Sequence, residues 1–389
     1  MAFDFIEAQL QARLDDGLYR SCHTMSGQQG RILNANNKTY LNFSSNDYLG
    51  LASDPALIKA WQKGADLYGV GSGGSYLVSG YNQAHADLTE QLKAWLGVEA
   101  LALFSSGYSA NQAIIKLLLS KNDLLIQDKL NHASLMEAGA LSECKMLRFK
   151  HNDTEHLQQI LNKQQSNDAN KLIISEGVFS MDGDCAPIRT LAEQASAADA
   201  WLMVDDAHGL GVLGKNGQGS AVAAGLKNAD LQIYMATFGK ALGVGGAFVA
   251  GSQTFIDYLT NFSKPYIYST GLPPAMAYSI SQAASIAETQ QWRRDKLQSL
   301  IALFQQLAAD NGIVLGNSNT AIQPIIIGDS KRTMMLADKL KAAGFWTTAI
   351  RPPTVPVNSA RLRITLTTNH ETDDIKMLID VIRRALNEF

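Results

Sequence analysis

Thr237-Phe238-Gly239-Lys240-Ala241-Leu242-Gly243, with Gly245-Gly246 just beyond, sets a lysine between a hydroxyl residue and a run of glycines. The stretch follows the apolar run 231–235, which predicts a strand that ends at this turn. A lysine in a tight, poorly solvated turn acts as an amine nucleophile once burial disfavours its charge. A surface lysine in an ordinary turn is the other reading of this stretch alone. Working outward, four more short apolar runs lie upstream, at 100–104, 123–127, 171–175 and 201–204. Helical periodicity, as at 111–119 and 188–198, separates most of them. Strands alternating with helices predict an α/β fold with a mostly parallel, doubly covered sheet. Ligands of such sheets lie beyond the carboxyl ends of the strands, and the conspicuous polar residues of this chain follow those runs.

Each polar cluster has a chemical reading. A Schiff base with a carbonyl cofactor is the obvious use of Lys240, and pyridoxal 5'-phosphate (PLP) is the commonest such cofactor. Asp205-Asp206-Ala207-His208 follows the run 201–204. One carboxylate there can pair with a protonated pyridine nitrogen, and the histidine can meet the ring's phenolate oxygen; a helix cap or a metal site is the alternative. Ser105-Ser106-Gly107-Tyr108-Ser109-Ala110-Asn111 joins a strand to a helix, where free N–H groups can make an anion site; an ordinary N-capped turn is the alternative, and the stronger one for this stretch in isolation. His132, in Asn131-His132-Ala133-Ser134, can lie on a ring face, although a lone histidine after a strand is usually structural, and Ser180 and Glu176 belong to another polar strand end. Gly209-Leu-Gly211-Val-Leu-Gly214 fits a dinucleotide-binding pattern, and Gly214-Lys215 nearly completes a P-loop. Asn216 replaces the required hydroxyl residue and no helix opens within the glycines, so this segment reads as a turn after Asp205.

Composition narrows the class. The chain has 389 residues, 46% hydrophobic and 18% charged, enough for a large core and two domains. A net charge of -3 and the lack of a polybasic run argue against nucleic acid. Cys22, Cys144 and Cys185, odd in number and widely spaced, form neither a disulfide framework nor a metal motif. The N-terminal residues lack the basic-then-apolar form of a signal peptide, and no uncharged apolar run reaches membrane-span length. A soluble, cytoplasmic enzyme without a metal is the expectation.

Residues 4–20 predict an amphipathic helix, 39–43 a strand, 69–75 a glycine-rich loop and 85–96 a helix. Gln164 to Asn170 reads as a polar surface loop. Beyond 276 a long helical stretch leads to strands at 321–327, 345–350 and 361–366 and helices at 334–343 and 373–386. The expected organisation is an N-terminal helix and arm at 1–45, a large cofactor-binding domain at 46–275 and a small α+β domain at 276–389. In the last, Arg361 and Arg363 share a strand face, and a bidentate arginine is the natural clamp for a carboxylate; a surface ion pair is the alternative.

The motifs Asn42-Phe-Ser-Ser-Asn-Asp-Tyr-Leu-Gly50, Gly71-Ser-Gly-Gly-Ser75, Glu176-Gly-Val-Phe-Ser-Met-Asp-Gly-Asp184, Val204-Asp-Asp-Ala-His208 and Thr237-Phe-Gly-Lys240 span nearly the whole chain. With them it resembles the α-oxoamine synthases, PLP enzymes of the aspartate-aminotransferase fold type. Ala349-Ile-Arg-Pro-Pro-Thr-Val-Pro356 with Ala360-Arg-Leu-Arg363 resembles the biotin-forming branch.

The resemblance implies a fold type I transferase and a decarboxylative condensation of L-alanine with a pimeloyl thioester. Coenzyme A and an acyl carrier protein both remain open as the thiol carrier. It implies that Lys240 carries PLP and shuttles protons, that Asp205 pairs with the pyridine nitrogen, and that His208 and Ser180 contact the ring oxygen. His132 would stack on the ring. Ser106, Gly107, Tyr108 and Thr237 would hold the phosphate, joined by Thr270 from a second subunit of a homodimer with shared sites. Glu176 would orient its neighbours at the cofactor. Arg363 would bind the amino-acid carboxylate, and Thr354, Asn46 and His132 would border the substrate. Arg20, or Arg13, would meet the acyl group. Val357-Asn358-Ser359 stands where the family usually has a glycine after Pro356. Glycine with acetyl- or succinyl-CoA, serine with a long acyl chain, an aminotransferase and a non-enzymatic PLP module are the competing readings.

Overall fold

The computed structural model describes residues 2–164 and 169–388. Two compact units emerge: residues 46–180 and 184–295 form the larger, and residues 1–45, 181–183 and 296–389 the smaller.

The larger unit is built on a seven-stranded sheet in the order Ala100–Phe104, Ala247–Gly251, Ile233–Thr237, Trp201–Asp205, Lys171–Glu176, Leu124–Asp128, Lys145–Phe149. Ala247–Gly251 runs antiparallel to both neighbours, and the other pairs are parallel. Every residue of Ala100–Phe104 and Leu124–Asp128 is buried. Successive side chains point to opposite faces, so the sheet is covered on both. Two of its strands escape the apolar-run reading. Lys145–Phe149 is an edge strand whose charged residues break the run, and Ala247–Gly251 has only Phe248 and Val249 as large apolar residues, between alanines and a glycine. The strand before Lys240 is Ile233–Thr237, two residues later than its apolar run.

Helix Pro274–Thr289 packs on Pro55–Tyr68 and Gln83–Leu96 within this unit, close enough that a Cβ on Gly64 would lie 2.9 Å from Ala275 Cα. The expected boundary at 275/276 therefore falls about twenty residues early: a helical stretch following an apolar linker carries no mark of which sheet it covers. The glycine-rich 69–74 stretch has no regular structure and leads into a single wide π-turn, Tyr76–Gly80.

The smaller unit joins both ends of the chain, so 1–45 is not a separate body. Lys38–Asn42 pairs in parallel with Phe345–Trp346, and Met25–Ser26 and Ile32–Ala35 complete that sheet. A second sheet has the order Ile322–Gly328, Ala360–Thr365, Thr348–Ile350. The strand expected at 345–350 is thus divided between two sheets. Arg31 donates two bonds of 2.6 Å to the buried Asp374. His370 stacks on Phe43 at 4.2 Å and bonds to the Asn42 carbonyl at 2.9 Å. The N-terminal helix is Phe5–Asp15, shorter than expected and with no buried residue. Ile6, Leu10 and Leu14, spaced four residues apart, share one face of this helix and are exposed there, as is Phe5. Of the loop expected at 164–170, residues 165–168 lie outside the described residues.

Candidate active site

The larger unit gathers most of the expected cofactor residues at its strand ends. Lys240 sits three residues past Ile233–Thr237 in a turn closed by Phe238 N–H to Gly246 O at 2.9 Å and Val244 N–H to Phe238 O at 3.0 Å. Gly243 (φ 67°) and Gly246 (φ 89°) supply the left-handed backbone this turn requires. The half-buried Lys240 places Nζ 2.7 Å from His208 Nε2. The other imidazole nitrogen, Nδ1, lies 2.6 Å from the Tyr48 hydroxyl, and that hydroxyl lies 3.3 Å from Asn46 Oδ1. Lysine, histidine, tyrosine and asparagine thus form one chain of contacts. Tyr48 is a functional candidate that the sequence reading left inside a motif.

Asp205 ends the adjacent strand, 5% exposed. Its Oδ1 accepts from Ala207 N–H at 3.1 Å, and its Oδ2 accepts from Asn111 Nδ2 at 2.8 Å. Glu176 stands directly opposite on Lys171–Glu176. Burial, and then the neighbouring Asp205, push the Glu176 carboxyl well above its usual range, against the pull of Lys240 and of the His132 backbone N–H. Glu176 Oε1 is buried without a partner among the described residues. Asp206 turns the other way, into the core, where it accepts from Ser220 N–H at 2.8 Å and from the Tyr234 hydroxyl at 2.9 Å. Burial raises Asp206 to about 6 despite those donors. Of the two consecutive acids, Asp205 is therefore the one that can meet a ligand and Asp206 the one that fixes the turn. Gly209 and Gly219 lie against the Asp206 carboxylate, where a Cβ would come within 2.1 Å of its oxygens. Gly209, the first glycine of the dinucleotide-like pattern, thus belongs to the turn after Asp205.

His132 precedes helix Ala133–Ala140 and is exposed. Partial enclosure lowers its pKa, with Asp205 opposing and Lys240 assisting. Ser106 caps helix Gly107–Leu118 by accepting from Ser109 N–H at 3.2 Å. The first-turn N–H groups of a helix lack partners within it, so those of Gly107 and Tyr108 remain for an anion. A Cβ on Gly107 would lie 4.0 Å from Thr237 Cβ, and one on Gly239 would lie 3.6 Å from Thr237 Oγ1. Two glycines and a threonine thus leave a cradle that side chains would fill.

This donor set fits PLP. An amine sits at Lys240, a carboxylate with two fixed donors at Asp205, a hydrogen-bonding imidazole at His208, and an anion cradle at 106–107, 237 and 239. Ser180 lies just after Phe179, whose N–H closes the same loop on Asp184 O at 3.0 Å. Thr270 is exposed and bridges to Ser75.

Other expected residues belong to the smaller unit. Arg20 donates to Thr354 Oγ1 at 3.3 Å, bringing those two together. Arg363 is buried and donates to Thr365 Oγ1 at 3.0 Å. Arg361 is committed to Asp182, and Arg351 to the Gly17 carbonyl. Among the described residues no cluster of acids, histidines and cysteines could hold a metal ion, and no helix is long and apolar enough to cross a membrane.

Residues 38–382 match the model of the family "Aminotransferase class I and II". The chain is 50% identical over 382 residues to the 8-amino-7-oxononanoate synthase of Vibrio parahaemolyticus, covering 98% of this chain and 97% of that protein. Among solved structures it resembles a serine palmitoyltransferase from S. paucimobilis with bound PLP–myriocin aldimine, at TM-score 0.93 and 27% identity, covering 99% of this chain and 98% of that one. It also resembles the 8-amino-7-oxononanoate synthase of Francisella tularensis, at TM-score 0.78 and 30% identity, covering 90% of this chain and 98% of that one.

Proposed function

Because the chain belongs to the class I and II aminotransferases and, within them, to the 8-amino-7-oxononanoate synthases, we propose that it joins L-alanine to a pimeloyl thioester. The products are 8-amino-7-oxononanoate, carbon dioxide and the free thiol, in biotin formation. The enzyme is PLP-dependent. The observation that carries the reading is the placement of Lys240 Nζ 2.7 Å from His208 Nε2 in the unit whose strand end presents Asp205.

When bound, PLP supplies a carbonyl for the amino group of alanine and a sink for the electrons left on its α-carbon. The chain supplies the rest. Lys240 Nζ holds the cofactor and then takes and returns the α-proton. Asp205 keeps a proton on the ring nitrogen through its fixed carboxylate. His208, steadied by Tyr48, and Ser180 hold the ring oxygen. His132 covers the ring face, and Glu176 receives the His132 backbone N–H. Ser106, Gly107, Tyr108 and Thr237 hold the phosphate. Arg363 binds the alanine carboxylate; Asn46 and Thr354 border the substrate, and Arg20 meets the acyl group. In the condensation the alanine α-carbon bonds to the thioester carbonyl carbon. The C–S bond breaks and the thiolate takes a proton from solvent; the bond to the carboxylate then breaks to release carbon dioxide, and the electron pair left on the α-carbon takes back the proton from Lys240.

The reading includes a cytoplasmic homodimer. Val70, Leu77, Val78 and Tyr268, all exposed and apolar, support an assembled state in which Thr270 reaches the phosphate site of a second copy. The test is release of thiol and carbon dioxide with L-alanine, glycine or L-serine, each offered with pimeloyl-CoA, a pimeloyl-acyl carrier protein, acetyl-CoA and palmitoyl-CoA. Turnover confined to L-alanine with a pimeloyl thioester is expected, and Lys240→Ala abolishes it together with the borohydride-reducible PLP linkage. Preference for serine and a long acyl chain, or amino transfer without carbon dioxide release, would reject the assignment.

A further inference from the structure

Between the candidate cofactor residues lies a buried polar thread. Asn111, on helix Gly107–Leu118, is 1% exposed. Its Nδ2 donates to Asp205 Oδ2 at 2.8 Å and to Ser134 Oγ at 2.9 Å. Ser134, also 1% exposed, places the same Oγ 2.8 Å from His132 Nδ1, and its backbone N–H points at that nitrogen from 3.2 Å. Glu176 closes the other side by taking the backbone N–H of His132.

The direction of this thread follows from valence. A carboxylate only accepts, so the amide group facing Asp205 must be the nitrogen; the reverse orientation would set oxygen against oxygen. The same nitrogen uses its second hydrogen on Ser134 Oγ, occupying one of that hydroxyl's two lone pairs. The Ser134 backbone N–H can only donate to His132 Nδ1, so that nitrogen accepts and the hydroxyl hydrogen is directed to it as well. With an O–H and an N–H both aimed at it, Nδ1 accepts, and the neutral ring carries its proton on Nε2. Asn111 Oδ1 is buried with no partner among the described residues, a desolvation cost set against these two donated bonds. Partial enclosure lowers the pKa of His132 in the same direction, favouring the neutral ring.

We propose that Asn111 is a positioning residue that aims the Asp205 carboxylate and, through Ser134, fixes the Nε2–H tautomer of His132. One side-chain nitrogen thereby ties the group beneath the cofactor's ring nitrogen to the group against its face. The functional part rests on the reading that Asp205 meets the ring nitrogen of PLP.

The charged and titratable groups facing His132 are Asp205, Lys240 and Glu176, and the variants leave all three in place. In the cofactor-free enzyme with 15N-labelled histidine, long-range 1H–15N spectra report the tautomer of His132, its signal identified by loss in His132→Gln. Wild type is expected as one Nε2–H species. Asn111→Ala and the milder Ser134→Ala both give a tautomer mixture and a higher titration midpoint. PLP affinity separates the two variants. Asn111→Ala, which also loses a bond to a charged group, weakens PLP roughly tenfold, while Ser134→Ala stays within about twofold of wild type. An unchanged His132 tautomer in both variants, or equal PLP affinities for the two, would overturn the proposal. Asp205→Asn serves as the reference. Unchanged PLP affinity and turnover in that variant would strike the reading of Asp205, while the spectra of the cofactor-free enzyme would still judge Asn111.

Discussion

Asp205 meets its two donors before any ligand arrives, so its carboxylate is oriented in advance. Asp205→Asn keeps the shape but cannot hold a ring proton. Turnover with L-alanine is expected to fall about 10²–10³-fold, the scale of losing a transition-state electrostatic partner, with PLP still bound by absorbance. Near-native turnover would reduce Asp205 to a turn cap. Arg363 is buried, so its charge is poorly screened. Arg363→Ala should weaken alanine by roughly 2–5 kcal/mol and leave acyl-thioester affinity little changed, measured by separate titrations. Since Arg361 and Arg351 already have partners, unchanged alanine affinity would remove the carboxylate clamp from this strand and loop. The strand-end residues Lys240, Asp205 and His208 were legible because each follows an apolar run and carries reactive chemistry. Asn111 and Tyr48 were not, since their meaning lies in partners 94 and 160 residues away. A buried amide or phenol has no sequence signature until the fold chooses what it faces.

Two histidines at element ends respond oppositely to pH. Burial opposes the charge of His151, but its bonds to Asp128 and Asp184 outweigh burial and push the imidazolium up to about 10. Its stabilisation is complete below the ordinary value of 6.5 and fades as pH rises toward 10. His370 is buried against Phe43, which brings it down to about 4 from 6.5. Its contribution is complete above 6.5 and fades as pH falls toward 4, a span worth roughly 3 kcal/mol. Urea midpoints measured from acid to alkali should therefore flatten on the alkaline side in His151→Gln and on the acid side in His370→Gln. Parallel displacement of the whole curve in either variant would show that the histidine acts only through packing. The elements themselves were legible where the apolar period was clean, as in Trp201–Asp205 and Thr372–Leu386. Lys145–Phe149 escaped because edge strands need only one paired side and tolerate charge.

At the scale of the molecule, a shared-site homodimer makes a quantitative claim. Lys240→Ala and Thr270→Ala chains, each nearly inactive alone, should regain about a quarter of wild-type activity after equal mixing and exchange. Half of the dimers would then be mixed, each with one native site. No recovery after verified exchange would place Thr270 outside the phosphate site. The division into units was less legible than the sheet, because Arg31 and Asp374, or Leu41 and Phe345, become neighbours only through long-range closure. That closure sets a timetable. On the ribosome residues 1–45 emerge first, yet Phe345–Trp346 and Asp374 emerge some three hundred residues later. At about 5–20 residues per second the early strand waits many seconds with its edge open. The larger unit can fold around its cofactor residues while Lys38–Asn42, made earlier, still lacks Phe345–Trp346, which puts that strand among the last parts to become native.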